Sequence, residues 1–258
     1  MKIVFLGPHY DDCVLSCGEL INKYVKEKHD VTSVTFFTGF PKPEELSSAA
    51  KQFHSNCFLE DDSMLYRQQE DYNALNFLNC NLEHLGYYEC LYRKSKTGEF
   101  LYPDLKNIYH LESEDEKLID EFSDVIIEKF GKYDVVFAPM GLGNHADHIL
   151  INQAAIKASK KLNCKFYFYE EVPYVCYYYK NRKKSNWGNG MESKLISVSD
   201  DEWKTKINTI KFYRSQLHIL WKNEIQRIQQ LKDLTFKYAK NHTVRVWFYK
   251  SGSNYDYL

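Results

Sequence analysis

MKIVFLGPHYDDCVLSCGELI, residues 1–21, sets the pattern on which the rest of the chain is read. Lys2 to Leu6 form a short, mostly apolar run, and Gly7 and Pro8 end it. His9, Asp11 and Asp12 follow within four residues. Val14, Cys17, Gly18, Ile21, Tyr24 and Val25 then recur on or near one helical face. The pattern predicts a buried strand, a sharp turn and an amphipathic helix. In an open α/β sheet the carboxyl end of such a strand is where a ligand sits. A helix beginning near Asp12 adds a field that favours a carboxylate.

The same order repeats along the chain. Residues 30–38 (DVTSVTFFT) read as a second strand, closed by Gly39, Pro41 and Pro43. Helices are predicted over 44–56 and 63–78, the latter burying Leu65, Gln68, Tyr72, Leu75 and Leu78. A short strand over 82–86 leads into an aromatic and basic stretch, 87–111, read as an irregular loop or lid. A helix over 113–130, a strong strand over 133–139, a helix over 149–162 and a strand over 165–169 follow. Residues 177–190 read as an exposed basic loop, with phosphate contact as the alternative. Helices over 201–216 and 222–238 and a final strand over 243–249 complete the chain. This alternation predicts an α/β fold, a three-layer sandwich around a mostly parallel, Rossmann-like sheet. Residues 1–258 are expected to form a single domain, with active-site loops around 87–111 and 177–190.

Composition narrows the function classes. With 258 residues, 44% of them apolar, the chain can bury one sizeable core. Its 34 basic and 35 acidic residues leave a formal charge of −1, which argues against a general nucleic-acid binder or a membrane-surface protein. No run approaches the roughly 18 apolar residues of a membrane span. The opening stretch does not read as a secretory signal, so a cytoplasmic location is expected. Seven cysteines include no CxxC pair, and free thiols are the simpler reading. Cys13 and Cys17, one helical turn apart, could ligate a metal, but buried small side chains are favoured. The 21 Tyr, 16 Phe and 4 Trp suit a sugar-binding cleft and ordinary packing equally.

Two polar turns carry the functional argument. The first supplies His9, Asp11 and Asp12; the second, GNHADH, supplies Asn144, His145, Asp147 and His148. Taken singly, each has a structural explanation. His9 could orient its turn, Asp11, Asp12 or Asp147 could cap the following helix, and His145 and His148 could be exposed. Together, after parallel neighbouring strands, the turns would meet at one sheet edge. One His and one carboxylate from the first could then join a His from the second in an open zinc site.

That pair of motifs resembles the LmbE-like, or PIG-L, family of metal-dependent de-N-acetylases. PHYDD at residues 8–12 is similar to the family's first motif and HADH at 145–148 to its second. RQQED (67–71), YEEVPY (169–174) and YRSQL (213–217) add support in the expected order. Tyr10 stands where Pro is common, and Cys13 where an acidic residue is common, which touches the turn and substrate subgroup rather than the ligands.

The resemblance implies that His9, Asp12 and His148 bind zinc, with another divalent metal as the alternative. It implies that Asp11 is the general base, that a protonated His145 assists the oxyanion, and that Asp147 orients or stabilises His145. The implied substrate is an N-acetylated amino sugar or a glycoconjugate containing N-acetylglucosamine. Arg67 could bind a polar substrate group, with Glu70 and Asp71 supporting it. Tyr92 and Tyr174 could offer an aromatic sugar-facing surface, and Arg214 and Gln216 could close the site by hydrogen bonding. Competing functions are a hydrolase of another small amide, a non-catalytic sugar or metabolite binder, and a dinucleotide enzyme. For the last, GLGNH is only a fragment of the required glycine fingerprint.

Overall fold

The computed structural model describes residues 1–59, 63–180 and 188–249. All seven strands among them join one sheet of order β3-β2-β1-β4-β5-β7-β6. These are β1 (Lys2–Gly7), β2 (Asp30–Thr35), β3 (Asn81–His84), β4 (Val135–Pro139), β5 (Lys165–Tyr169), β6 (Met191–Ser197) and β7 (Thr243–Tyr249). The first five are mutually parallel, β7 runs antiparallel to β5, and β6 antiparallel to β7. The α/β expectation therefore holds, with a mixed, mostly parallel sheet at the centre.

Helices α1 (Asp12–Lys26), α2 (Ser48–Asn56), α3 (Ser63–Phe77), α4 (Leu118–Phe130) and α5 (Ala146–Ser159) alternate with the first strands. They are followed by α6 (Tyr174–Lys180), α7 (Asp200–Ile210), α8 (Arg214–Leu220) and α9 (Glu224–Thr235). From β1 the chain crosses through α1 to β2 on one side; from β4 it crosses through α5 to β5 on the other. Right-handed crossovers in opposite directions put α1 and α5 on opposite faces. Accordingly α1 packs with α7, and α4 packs with α5. With both faces covered, Ile3, Val4, Phe5 and Leu6 are fully buried, the continuous apolar run of a central parallel strand. Phe5 stacks on Phe137 across the β1–β4 pair at 4.5 Å, and Phe137 on Tyr167 at 5.5 Å. Between β1 and β4 the direction of winding reverses, and the two polar turns leave the sheet there.

Several elements differ from expectation for local reasons. Strand β2 stops at Thr35, and Phe36 and Phe37 instead donate backbone hydrogen bonds to Gly7 and Pro8, running beside the first polar turn. Helix α2 starts at Ser48 because Ser47 caps it, accepting from the Ala50 N–H at 3.0 Å. Helix α3 exposes Leu65 and Tyr72 and buries Arg67 and Asp71, so its inner face is partly polar. Helix α4 begins at Leu118, since Asp115 is drawn into an ion pair with Arg93. The helix expected over 201–216 is two helices, because a turn at 211–213 aims the Tyr213 hydroxyl at Asp71. Strand β6 was not expected: MESKLIS is an edge strand with one buried residue, Ile196, and shows no apolar alternation. The loop expected over 177–190 is helical as far as Lys180, and its residues 181–187 lie outside the described residues. The 87–111 stretch is irregular, with short 3₁₀ turns at Cys90–Tyr92 and Asn107–Tyr109.

Gly18 lets α7 approach α1, since a Cβ there would lie 3.1 Å from Lys206 Cγ. The Lys206 ammonium is buried and bonds Glu19 Oε1 at 2.9 Å and the Ser16 carbonyl at 3.3 Å. Removing one partner of a buried pair leaves an uncompensated charge. Lys206→Met is expected to lower stability in urea unfolding by about 3–5 kcal/mol, and adding Glu19→Met to recover most of it. A double variant no more stable than the single one would contradict this.

Candidate metal centre

The turn after β1 closes tightly, for a Cβ on Gly7 would lie 2.7 Å from Cys13 Sγ. Cys13 and Cys17 are buried in the core and belong to no group of potential metal ligands among the described residues. The turn presents adjacent carboxylates to different neighbours. Asp12 accepts the His9 backbone N–H at 2.8 Å. Asp11 occupies the N-cap of α1, but its side chain caps nothing and lines a cavity instead.

The second turn is less of a loop than expected, because α5 starts at Ala146 and places Asp147 and His148 in its first helical turn. His145 is the N-cap, its Nδ1 accepting the Asp147 N–H at 3.2 Å. An Nδ1 that accepts carries no proton, so this geometry leaves the His145 proton on Nε2.

The two turns meet. One donor atom each from His9, Asp12 and His148 falls within a 4.8 Å span. His9 Nδ1 lies 3.3 Å and His148 Nε2 3.5 Å from the same oxygen, Asp12 Oδ2. A tetrahedral zinc site with ligands at about 2.0–2.2 Å has ligand–ligand edges of about 3.3–3.6 Å, so this donor set fits a divalent ion. The far nitrogens agree. His9 Nε2 donates to Asp147 Oδ2 at 2.9 Å, and His148 Nδ1 to Glu171 Oε1 at 3.3 Å. Carboxylates only accept, so in its neutral form each ring keeps its proton on the far nitrogen and turns its lone pair to Asp12. His9, His145 and Asp147 form a second group of the same span. Asp147, however, is already committed to Arg93 and to the Cys90 N–H.

Charge in the cluster follows from this wiring. Burial opposes ionisation of His9, but hydrogen bonds to Asp12 and Asp147 outweigh it and hold its pKa well above the usual value. His148 is raised likewise: burial lowers it, and Asp12 and Glu171 more than compensate. Burial would raise Asp12, yet His148 and His9 bring it down to about 2. Asp11 is pushed up to about 7, first by burial and then by the charge of Asp12. His145 lies well below the usual histidine value, through burial and then the positive charge of His9. The carboxylates thus favour positive charge at the two candidate ligand imidazoles, charge that a dication would supply in place of the second ring protons.

The cavity at the centre has a volume of about 140 Å³. Arg67, Glu89, Tyr109, Tyr174, Gln216 and Leu220 form part of its wall. A larger groove of about 710 Å³ beside α6 and α9 holds none of the ligands. Of the residues singled out from sequence, Arg67 is buried in the wall and paired with Glu89. Tyr174 meets His148 edge-on at 5.3 Å and packs over Gly143, where a Cβ would come within 2.3 Å of its ring. Gln216 lines the cavity and donates to Ser215 Oγ.

Others are elsewhere. Tyr92 is buried behind the wall, its hydroxyl 2.7 Å from His54 Nε2. Arg214 is exposed at the start of α8 and does not line the cavity. Glu70 and Asp71 do not hold Arg67: Glu70 accepts from Ser215, and Asp71 from Tyr213 and His84. The Asp147 side chain accepts hydrogen bonds from His9 and Arg93, and its charge still favours protonation of the His145 ring. Sequence reasoning passed over Glu89, Arg93, Tyr109 and the role of Glu171. For Glu171 there was a signal, a carboxylate between a β-strand and Val-Pro.

Fold and cluster fit one class, a metal-assisted α/β hydrolase whose candidate donors His9, Asp12 and His148 lie at the carboxyl edge of its sheet. The family model described as GlcNAc-PI de-N-acetylase, PIG-L, matches residues 4–159, and the chain belongs to that family. A curated relative, 2'-N-acetylparomamine deacetylase of Niallia circulans, is 25% identical over 187 residues, a match spanning 66% of each chain. The zinc-inhibited form of teicoplanin deacetylase Orf2 superposes with a TM-score of 0.85 at 25% identity, covering 98% of this chain and 100% of that one. N,N'-diacetylchitobiose deacetylase from Pyrococcus horikoshii, at 15% identity, shares the fold with a TM-score of 0.57 over 95% of this chain and 83% of its own.

Glu171 receives the Met140, Gly141 and Leu142 N–H groups as well as His148. Glu171→Gln puts an amide N–H₂ against one of those donors and loosens the His148 ring. Affinity for Zn²⁺, measured by competition with a chromophoric chelator, is expected to fall about 10–100-fold. Unchanged affinity would show that His148 is oriented without this carboxylate.

Proposed function

We propose that the protein is a zinc-dependent N-deacetylase acting on an N-acetylated amino sugar or a glycoconjugate containing N-acetylglucosamine. The observation that carries this reading is the placement of Asp11, a carboxylate spared from capping and opening into the same cavity as His9, Asp12 and His148. Two imidazoles and one carboxylate suit Zn²⁺, with other divalent ions able to occupy the same donors. A bound ion of this kind polarises an amide carbonyl and acidifies a water.

The chain's own groups do the rest. Asp11 accepts the proton of the water that attacks the acetamide carbon, and the His145 Nε2–H donates to the negative charge that develops on the carbonyl oxygen. On this reading the neutral ring, with its proton on Nε2, makes that bond without the second proton that the family resemblance implies. Asp11 then returns its proton to the nitrogen, the C–N bond breaks, and acetate and a free amine leave. No covalent enzyme intermediate is needed.

The substrate reading rests on the family and on cavity size. At about 140 Å³ the cavity is smaller than the roughly 300–1,000 Å³ of most ligand sites. It suits an acetamido group and part of one ring, with the remainder of a glycoconjugate outside. The relatives named above act on N-acetylparomamine and teicoplanin, which supports an N-acetylated glycoconjugate for this chain. Seven free cysteines support a cytoplasmic location. No helix among the described residues is long and apolar enough to cross a membrane.

The test is acetate release from N-acetylglucosamine conjugates, N-acetylated aminoglycosides and non-sugar acetamides, with zinc titrated because a relative has a zinc-inhibited form. Release from a sugar substrate is expected to vanish on chelation and to return with stoichiometric zinc. Asp11→Asn is expected to lower kcat about 10²–10⁴-fold. Release from non-sugar amides alone would overturn the carbohydrate assignment. No release from folded, metal-loaded protein would overturn the hydrolase assignment for these substrates.

A further inference from the structure

Arg93 lies outside both polar turns, yet its guanidinium reaches them. It is 9% exposed and sits between the rings of Phe37, at 5.2 Å, and Tyr102, at 5.5 Å. Its Nη1 donates to Asp147 Oδ1 at 2.6 Å and to the Tyr88 carbonyl at 3.0 Å. Its Nε donates to Asp115 Oδ2 at 2.8 Å. Asp115, 22 residues further on, also accepts the Tyr102 hydroxyl at 2.8 Å. Arg93 therefore ties both ends of the irregular 93–115 segment to one carboxylate in the first turn of α5.

That carboxylate is the one that orients a candidate ligand. Asp147 Oδ2 accepts from His9 Nε2 and, at 3.1 Å, from the Cys90 N–H. Oδ2 of Asp147 thus holds the His9 ring and the Cys90 backbone together, and Oδ1 takes the Arg93 guanidinium that ties down the rest of residues 88–115. The same segment supplies Glu89, Cys90, Leu91, Ile108 and Tyr109 to the cavity wall. The Tyr109 ring meets His145 edge-on at 6.3 Å. The wall that would face a substrate and the ring that would face a metal hang on one buried charge cluster.

We propose that Arg93 is a positioning residue that couples the metal centre to the 88–115 wall of the cavity through Asp147. The proposal rests on the metal-centre reading above and not on any particular substrate. Reciprocity follows from linkage: if an ordered wall strengthens metal binding by holding Asp147 and His9 in place, metal binding must order the wall by the same factor. Arg suits the role because its planar fork can serve two carboxylates and a carbonyl at once, which a lysine ammonium cannot do with fixed geometry.

The test reads metal affinity and backbone exchange, neither of which needs turnover. Amide hydrogen exchange of the wild-type chain, apo and with Zn²⁺, is expected to show metal-dependent protection across 88–115. Chelator competition with Arg93→Met is expected to show Zn²⁺ affinity lowered about 10–100-fold, with Arg93→Lys recovering part of it. Asp115→Asn keeps the Arg93–Asp147 bond but frees the far end of the segment. It is expected to retain near wild-type Zn²⁺ affinity while losing metal-dependent protection over 96–111 and raising KM more than it lowers kcat. Wild-type exchange in 88–115 that ignores Zn²⁺ overturns the coupling, whether or not the variants fold. Wild-type Zn²⁺ affinity in folded Arg93→Met overturns the positioning role. A wild-type chain that binds no divalent metal overturns the metal-centre reading itself, and failure to release acetate with metal bound and 88–115 protected bears only on the proposed reaction.

Discussion

Two imidazole–carboxylate hydrogen bonds, a half-buried one from His9 to Asp147 and a buried one from His148 to Glu171, give the candidate centre its order. Each fixes one ring nitrogen as a donor, so that in the neutral ring the other nitrogen turns its lone pair to Asp12. Their cost is the burial of two carboxylates, and the surrounding structure is arranged to meet it. Asp147 receives Arg93 and a backbone N–H, and Glu171 receives three backbone N–H groups. Desolvated charges left without such partners would be strongly destabilising. Much of the loop structure around the carboxyl edge of the sheet thus delivers hydrogen-bond donors to these two oxygen pairs.

The sheet explains why the bonds can form at all. His9 and Asp147 are 138 residues apart, and they meet because β1 and β4 are adjacent and parallel. At that pair the chain winds outward in both directions, leaving a crevice that crossing connections do not cover. The stacked Phe5 and Phe137 rings lock the two strands below the crevice. The geometry of the centre therefore rests on core packing as much as on its polar contacts.

What could be read from the sequence follows the same division. Buried parallel strands write continuous apolar runs, so β1, β4 and β5 were evident, and the turns after β1 and β4 marked the site. The edge strand β6 has Ile196 as its one buried residue and leaves no such trace. Helix α3 misled because its inward positions include Arg67 and Asp71, which satisfy tertiary partners that hydrophobic periodicity does not register. Arg214 looked like a site residue beside Gln216, but their separation on a helical turn puts one outside and the other in the wall. Arg93 was illegible for a deeper reason: its partners, Asp115 and Asp147, are brought to it only by the finished fold.

Asp11 and Asp12 show how little local sequence decides chemical role. They are consecutive residues of one type at one helix terminus, so composition, helix field and exposure treat them nearly alike. Their difference is angular: adjacent helical positions are about 100° apart. That rotation brings Asp12 onto the His9 N–H and between two imidazoles, and it is held at about 2. Asp11 is turned into the cavity, without the cap it could have formed, and rises to about 7. One carboxylate is kept ionised, as a metal ligand would have to be, and its neighbour is left able to exchange a proton. Such a pair has to sit at the start of a helix, where the turn fixes one residue and the cavity receives the other.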